Sequence, residues 1–525
     1  MLYMANIFNA IRTPKVGSNT FDLSYDLKLS LNMGELIPVH CQEIVPGDKI
    51  NMSTESLLRF APLIAPVMHK VDVYQHFFFV PNRLTWSGWE KFITGDQGVA
   101  HPYLAAVHST NGELADYMGL PRATGIDRVN ALPFAAYQMI YNEYYRDQNL
   151  SMEVPFQLRD GQQTLELQDE LVKKRKRAWE HDYFTSALPF AQKGDPVTLP
   201  IITSNVKVRP DDLPYSHQDT FQTTDGTPIT AGNLDIDVFD GSIGIPKDAS
   251  GNPVAFRAQN LVVTPDDMGN SAGTINDLRR AIKLQEWLEK AARGGSRYIE
   301  SVLSHFGVRS SDARLNRPEY LGGSKQPMVI SEVLQTSAPT TEGPTPQGNM
   351  AGHGISVGGG KSFSYYAEEH GYIIGIISIM PKTAYQQGIP KHFSKFDYLD
   401  YYWPSFAHLG EQEIKNREVY YDDKIADPTY DPLYNDGVFG YTPRYAEYKF
   451  MPSRVAGDFQ DSLSYWHMGR IFTSKPNLNQ SFIEANPTTR VFAVEDPLVH
   501  KVYAHVFHRI SAQRKMPIFG TPAID

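Results

Sequence analysis

Residues 21–31 read Phe-Asp-Leu-Ser-Tyr-Asp-Leu-Lys-Leu-Ser-Leu, so that every second side chain is apolar. Because successive side chains of a strand point to opposite faces, this alternation predicts a β-strand with one buried face. Outward along the chain, residues 36–44 and 69–80 predict two more strands, and residues 499–510 predict a last one. Strand patterns cluster at the two ends of the polypeptide, which indicates one β-sheet body with large insertions between its parts.

The middle of the chain carries helical patterns. Apolar residues recur near helical spacing between residues 134 and 144. They do so again between residues 278 and 292, where Gly294-Gly295 ends the pattern. A second short helix is predicted at 298–306, since Gly307 follows it as a stop signal. We therefore expect some helices inside the insertions of a β-rich protein.

Two neighbouring stretches before the last strand differ sharply in composition. Residues 335–361 are rich in Gly, Thr and Pro and predict a long loop. Within it, Gly354 to Ser362 ends in Gly-Lys-Ser like a phosphate-binding loop, but the spacing of the glycines is wrong for one. A flexible glycine loop is the favoured interpretation. Residues 372–380 form a continuous apolar run, which is typical of a strand buried on both faces.

The composition favours a β-rich protein with long, ordered connections. The 525 residues include 29 Tyr, 27 Phe, 39 Gly and 36 Pro. Aromatic residues favour strands, whereas Gly and Pro favour turns and irregular loops. Cys41 is the single cysteine, which excludes an intramolecular disulfide framework. We see no secretory signal and no apolar run long enough to cross a bilayer, so we expect synthesis in a reducing cytoplasm without membrane insertion.

Negative charge is concentrated in residues 201–275. This segment holds ten Asp, no Glu and four basic residues, a balance of −6 within a total of −10 for the whole chain. It is also rich in Gly, Thr and Pro, with short strand-like pieces such as 234–239. We interpret residues 201–275 as an insertion that faces solvent.

Two clusters of cations are candidate DNA contacts. The run 173–177 comprises Lys173, Lys174, Arg175, Lys176 and Arg177, and cations of this kind pair with phosphates. A solvated helix face or an ion-pair patch between subunits explains the run equally simply.

The second cluster lies in the C-terminal tail. Arg509, Arg514 and Lys515 are interleaved there with Phe507 and Phe519, a combination that suits single-stranded DNA because rings stack on bases. A tail packed against a neighbouring subunit remains the alternative.

No catalytic or metal-binding constellation emerges from the remaining polar residues. Alternation along the last strand places His505 on the opposite face from His500 and His508, so the three do not form a local metal triad. His370 lies beside two glutamates, but no third ligand stands at a usual spacing. No nucleophile elbow is present either. We predict no catalytic residue, no metal site and no cofactor.

Long blocks of the sequence resemble a known family, the major capsid proteins of microviruses, on the gokushovirus side. The blocks span nearly the whole chain in order, which makes them far more specific than a short motif. They are Arg59 to Arg83, Trp89 to Gly95, Leu132 to Tyr137, Tyr141 to Gln148, His181 to Pro189, Glu286 to Gly307, Tyr320 to Gly323, His370 to Gly375, Arg444 to Tyr448 and Pro517 to Pro522.

The resemblance implies an all-β fold, an eight-stranded viral jelly-roll whose long inter-strand insertions contain some helices. It implies a single capsid domain over residues 1–525, a virion component with one coat subunit per icosahedral asymmetric unit. By its position, and because it lacks family blocks, segment 201–275 matches the variable insertion that forms protrusions at the threefold axes and is proposed to meet the host.

The resemblance also implies partners. The chain would bind copies of itself through pentameric intermediates, and its inner surface would meet a circular single-stranded DNA genome. A small basic DNA-binding protein, a minor or pilot protein of the phage and a host surface receptor would complete the set.

Two other functions stay open on the residues alone. A β-rich glycoside hydrolase would line a sugar groove with Trp and Tyr and act through two carboxylates. A host-glycan-binding module could reside in the insertion 201–275 even in a coat protein. Closed particles of the expressed protein would favour the coat, and a monomer that cleaves oligosaccharides would favour the enzyme.

Overall fold

The structure is a computed structural model that forms two compact units. The first comprises Met1–Lys193 and Lys290–Asp525, and the second is Gly194–Glu289. For four short pieces between residues 209 and 262 only the backbone is described, and most of segment 201–275, including 234–239, lies outside the described residues. The described residues are 17–95, 98–195, 197, 209–210, 221–223, 256–258, 261–262, 275–334, 350–360, 362–423 and 433–519.

Most of the regular structure is antiparallel β-sheet. The strands are β1 (Asn19–Asp22), β2 (Tyr25–Leu31), β3 (Ile37–Ile44), β4 (Lys49–Phe60), β5 (Val71–Pro81), β6 (Tyr103–Ser109), β7 (Ala123–Asn130), β8 (Arg209–Pro210), β9 (Phe221–Thr223), β10 (Phe256–Ala258), β11 (Leu261–Val262), β12 (Glu319–Leu334), β13 (Met350–Gly359), β14 (Phe363–Tyr366), β15 (Gly371–Pro381), β16 (Glu411–Lys415), β17 (Val438–Pro443) and β18 (Val502–Arg514).

Short helices lie between the strands. The α-helices are α1 (Asn82–Thr85), α2 (Trp89–Ile93), α3 (Leu114–Tyr117), α4 (Leu132–Ile140), α5 (Leu165–Val172), α6 (Ile275–Gly294), α7 (Tyr298–Phe306), α8 (Asn416–Val419), α9 (Leu433–Asp436) and α10 (Gln480–Ile483). A π-helix, Tyr141–Tyr145, continues α4. The 3₁₀-helices are Ala313–Leu315, Lys391–Ser394, Tyr398–Asp400, Pro404–Phe406, Ala446–Tyr448, Gly457–Gln460 and Ser464–Trp466. Among the described residues, no helix combines the length and the apolarity that a membrane span requires.

Two four-stranded ladders form the main sheet. In the first ladder the order is β2-β18-β4-β13, and β1 and β14 extend it at the edges of β18 and β4. In the second ladder the order is β12-β5-β15-β3. All of these pairs are antiparallel. β12 joins the ladders, because its first part pairs with β5 and its last part, from Val329, pairs with β13.

The two ladders pack their apolar faces against each other. One buried cluster combines Leu58 and Val506 of the first ladder with Val73, Ile377 and other residues of the second. A second cluster joins the opposite end of the same interface, where residues of β4 and β18 meet residues of β5 and β15. Burial of these alternating side chains is the main source of stability for such a body.

The second ladder is covered on its other face as well. Phe78, Ile374 and Ile376 pack there against helix α4, whose Phe134 and Tyr137 are fully enclosed. Every residue of β15 is buried in consequence. The prediction of a doubly buried strand at 372–380 is confirmed, as are the helical patterns at 134–144, 278–292 and 298–306.

The first strand pattern is interrupted, which the alternation did not predict. Residues 21–31 fall into β1 and β2 instead of one strand. The backbone N–H of Ser24 donates a hydrogen bond of 3.0 Å to the Asp22 carboxylate. This local turn withdraws a backbone donor from the ladder, which is how Asp side chains commonly end strands.

The loop predicted at 335–361 is wrong for residues 350–359, because they form β13, and residues 335–349 and 361 lie outside the described residues. Glycine is required at two positions there because neighbouring atoms pack too closely for a side chain, and not because the segment is flexible. A Cβ on Gly352 would lie 2.3 Å from the carbonyl oxygen of Ala65, and one on Gly354 would lie 2.4 Å from the Phe60 ring. Neither a phosphate-binding loop nor a free glycine loop is present over these residues.

We predict that Gly352→Ala destabilises the chain by about 1–3 kcal/mol, because the new methyl group would meet backbone and not a movable side chain. Gly359→Ala is the matched control in the same strand, since its Cβ would have only Glu55 as a neighbour, at 4.0 Å. The control should change stability by less than about 0.5 kcal/mol. Urea unfolding of the unassembled chain measures both, and equal midpoints would contradict the packing argument.

Candidate interaction surfaces

The basic run 173–177 is not a helix face. Helix α5 ends at Val172, and the run continues as an extended segment beside residues 34–36. The backbone N–H of Leu36 donates to the Arg175 carbonyl oxygen, and the N–H of Arg177 donates to that of Gly34. The run therefore adds a short edge to the β-sheet body.

Four of its five cations are held by groups of the same chain. Lys173 and Arg175 both pair with Glu170, at 2.5 and 2.8 Å, and Lys174 pairs with Glu35 at 2.7 Å. The Lys176 ammonium donates to the side-chain oxygen of Asn486 at 3.0 Å. Each of these cations has given up part of its capacity to pair with an outside phosphate.

Arg177 differs from the rest of the run. Its guanidinium lies over the Tyr74 ring, 4.0 Å from the centroid, and donates to the Ser378 hydroxyl at 3.1 Å. In the described part of the chain no carboxylate lies within ion-pair distance of it. Burial lowers the pKa of this guanidinium from its ordinary value.

The C-terminal cations lie in and just beyond β18. Arg514 is largely enclosed and pairs with Asp48 at 3.1 Å. Arg509 is exposed and reaches Glu55 at 3.9 Å, a weak surface pair. Lys515 is exposed, and its side chain lies beside Gly47. Within the described ranges, no hydrogen bond or ion pair joins these three residues to the run 173–177, so the sequence candidates form two separate groups.

The histidines of β18 and its approach do not converge, as the alternation predicted. His500 contacts Ser30, and His505 faces Asp26 on the exposed face. His508 instead points between the ladders, where its ring lies 5.3 Å from that of His40. Among the residues that the structure describes, no group of three or more His, Cys, Asp or Glu could hold a metal ion.

His40 and His508 are buried as a neutral pair. The Nδ1 atom of His508 lies 2.9 Å from the Thr54 hydroxyl, and its Nε2 atom lies 2.9 Å from the Val39 carbonyl oxygen. Burial, aided by the neighbouring His508, lowers the pKa of His40 to about 3. Burial also lowers the pKa of His508 to about 4.

These shifts predict a loss of stability on mild acidification. The unfolded histidines take up protons near pH 6.5, whereas the folded ones stay neutral. Proton binding therefore stabilises the unfolded state relative to the folded state as the pH falls from 6.5 towards 4. Between pH 7.5 and 5 the free energy of unfolding should fall by about 2 kcal/mol per histidine.

Urea unfolding at the two pH values checks this dependence. His508→Gln, which keeps hydrogen-bonding atoms but does not titrate, should make the fall smaller by about 2 kcal/mol. His505→Gln, on the exposed face of the same strand, is the matched control and should leave it unchanged. A fall as large in His508→Gln as in the parent would contradict the prediction.

An exposed aromatic surface occupies the insertion between β15 and β18. The sequence patterns predicted no site in this region. We call this group the aromatic surface; its members are half to almost fully exposed. They are Phe393, Phe396, Tyr398, Tyr401, Tyr402, Trp403, Tyr448, Phe450 and Met451.

An enclosed ion pair and a hydrogen bond fix the conformation of the aromatic surface. The Lys395 ammonium pairs with Glu447 at 2.8 Å, and both side chains are nearly enclosed. The same ammonium lies 4.1 Å from the centroid of the Tyr448 ring. The Trp403 indole N–H donates to the Tyr398 carbonyl oxygen at 2.9 Å. Lys395 also lies against the Tyr401 ring, and Tyr402 lies 6.2 Å from Tyr448, so these exposed rings are neighbours. Exposed apolar surface of this kind marks a place where another molecule binds.

Fold and surfaces together define a class of protein. An antiparallel β-sheet body carries long insertions, and one of them presents a fixed aromatic surface to a partner. The described residues offer binding surfaces and no metal cluster. These features are typical of a protein that acts by binding other molecules through its surface.

Comparison with known proteins gives the family. The model of the family described as "Capsid protein (F protein)" matches residues 9–524, and the chain belongs to that family. Capsid protein VP1 of Chlamydia phage 1 is 36% identical, over 99% of this chain and 98% of the relative. Capsid protein VP1 of Bdellovibrio phage phiMH2K is 38% identical, over 96% and 95%. That of Spiroplasma virus 4 is 34% identical, over 94% and 93%.

The family settles three expectations from the sequence. The resemblance to microvirus major capsid proteins is confirmed along nearly the whole chain. The protein is a component of a phage capsid, and its family is structural and not enzymatic, so the glycoside hydrolase alternative falls away. The fold is mostly antiparallel β-sheet with helical insertions.

Proposed function

We propose that this capsid protein is the major coat subunit of a small icosahedral shell that encloses circular single-stranded DNA. The observation that carries the proposal is the aromatic surface. Aromatic side chains expose roughly 150–250 Å² each when free, so about half of that over eight rings gives on the order of 900 Å². A stable interface needs roughly 800 Å² per partner.

The fold on which this subunit is built is an eight-stranded jelly-roll. Support comes from the strand orders β2-β18-β4-β13 and β12-β5-β15-β3, which are two four-stranded antiparallel ladders packed face to face. The insertions leave this body between β5 and β12 and between β15 and β18. Closed symmetry then limits association to a finite shell, with pentamers as the natural intermediate.

Substitution of the aromatic surface tests the assembly. Phe396→Asp with Met451→Asp places two carboxylates where 87% and 88% of the side chains are exposed, so folding should be spared. Burial of unpaired carboxylates in an interface is costly, and assembly should be lost. Met152→Asp is the matched control, an isolated exposed methionine in another insertion. Sedimentation velocity and electron microscopy should show subunits for the double variant and closed particles for the control.

Closed particles at the parent yield from the double variant would contradict the proposed interface. Subunits from both variants would mean that any added carboxylate blocks assembly, and the argument from the aromatic surface would fail.

Segment 201–275 is proposed as an outward protrusion at the threefold axes that contributes to host attachment. Its ten Asp suit a solvated surface. The second compact unit, Gly194–Glu289, has similar bounds, which supports a segment that can be removed as a whole. A host surface receptor is the partner that this role requires.

Deletion of residues 205–270, with a short Gly-Ser linker across the gap, tests this role. We expect soluble, assembling protein whose particles no longer adsorb to host cells, measured against particles of the full chain. Insoluble protein would place the segment in the core of the fold. Normal adsorption would remove it from host attachment.

The inner surface is proposed to contact the DNA genome, together with a small basic DNA-binding protein and a minor or pilot protein of the phage. Among the sequence candidates, Arg509 and Lys515 are exposed and Arg514 is already paired with Asp48. In the run, Lys173, Lys174 and Arg175 pair with carboxylates, whereas Lys176 and Arg177 contact neutral groups and so keep more capacity for a phosphate.

A further inference from the structure

A cavity of about 1050 Å³ opens on the second ladder within the first unit. His76, Phe78 and Tyr320 line its floor. Phe78 belongs to the face of β5 that packs against helix α4, so the cavity lies on the side of the second ladder turned away from the first. A space of this size suits a small organic ligand.

Five arginines line the cavity, and three of them are neutralised by carboxylates. Arg293 binds Glu411 with two nitrogens, Arg297 pairs with Glu300 at 3.4 Å, and Arg317 pairs with Asp312 at 3.4 Å. These pairs form a fixed, charged wall. They leave two further arginines, Arg146 and Arg177, to be accounted for.

Arg146 and Arg177 are not compensated in this way. The Arg146 guanidinium donates to the Ser151 carbonyl oxygen at 2.8 Å, and its buried Nε atom has no hydrogen-bond partner. Neither arginine has a carboxylate within ion-pair distance among the described residues. Among the described residues, the cavity thus holds two guanidinium groups without a carboxylate partner.

The acidic residues of the cavity do not cancel this surplus. Glu180 already binds Lys325 and Lys382. One carboxylate oxygen of Asp147 accepts the backbone N–H groups of Asn149 and Leu150, at 2.9 and 2.8 Å. The unpaired charge that faces the cavity is therefore positive, with two guanidinium groups against one hydrogen-bonded carboxylate.

Aromatic rings stand beside these cations. Tyr320 is about half exposed, and its ring lies 5.6 Å from Phe78 and 5.9 Å from His76. The Tyr144 ring is already covered, by Phe78 at 4.6 Å and by the Arg317 guanidinium at 4.4 Å, which leaves Tyr320 as the half-exposed ring. Guanidinium groups bind phosphate oxygens through paired donors, and ring faces stack on bases. The guanidinium groups can therefore bind the phosphate of a ligand, and the half-exposed Tyr320 ring can bind its base.

We propose that this cavity binds a nucleotide unit of single-stranded DNA, with the phosphate between Arg146 and Arg177 and the base on the Tyr320 side. The inference rests on the proposed enclosure of DNA and deepens it. It selects Arg177 from the basic run, because Arg177 is the one cation of the run that lines the cavity. It adds Arg146, which no sequence pattern singled out.

Binding of a fluorescent five-nucleotide oligo-dT to the purified, unassembled chain tests the site. Arg146→Gln with Arg177→Gln should weaken binding about tenfold or more, and the slope of log affinity against log salt should fall by roughly 0.7 for each phosphate that is no longer neutralised. Arg159→Gln, an exposed arginine outside the cavity, is the matched control and should change neither value. Thermal unfolding verifies that the variants are folded.

Crosslinking of the unsubstituted chain to bromodeoxyuridine-labelled oligonucleotide gives a second readout that needs no variant. Adducts on Tyr320 are expected. Adducts confined to β18, with unchanged binding in the double variant, would overturn the cavity site and leave the enclosure of DNA intact.

Competition identifies the source of the phosphate. Thymidine 5′-monophosphate should displace the oligonucleotide better than glucose 6-phosphate or inorganic phosphate. Stronger competition by the sugar phosphate would mean a saccharide site and would contradict the nucleotide assignment. Failure to assemble is scored separately by sedimentation, so it bears on the proposed function and not on this cavity.

Discussion

The hydrogen bonds along both edges of β18 are the constraint on which the rest of the structure depends. Val502 to His508 pair with β2 on one edge, and Val502 to Gln513 pair with β4 on the other. The last long strand therefore lies between two strands that occur in the first sixty residues. The chain between residues 60 and 502 contributes β5, β12, β13 and β15 to the same body, and its insertions must return to that body each time. Closing so long a loop is tolerable, because its entropic cost grows only with the logarithm of its length.

In this arrangement the residues that stabilise the fold differ from those that are available for association. The ladders bury their apolar side chains against each other, so stability requires no disulfide, and Cys41 remains a single cysteine. The insertions can then present surfaces that the fold itself does not need. The aromatic surface is of this kind, and the buried Lys395–Glu447 pair fixes it before any partner arrives, which lowers the entropic cost of binding.

The sequence predicted the strands whose periodicity reports a single dominant force. β2, β5, β15 and β18 follow from alternation or from a continuous apolar run. Where a local hydrogen bond or a close approach competes, pattern alone fails. The Asp22–Ser24 turn divides the first predicted strand into two. The glycines of β13 gave that segment the composition of a loop, although it is a packed strand. The cations of 173–177 were visible as candidates, but the pairing of Lys174 with Glu35 and the position of Arg177 over Tyr74 are set by tertiary structure and were not predictable.

A reconstruction of the assembled particle at side-chain resolution tests the central claim most directly. We expect β18 to lie between β2 and β4 of its own subunit, and we expect a neighbouring subunit to cover the aromatic surface. Terminal strands found in separate modules, or an aromatic surface that faces solvent in the closed shell, would contradict this claim.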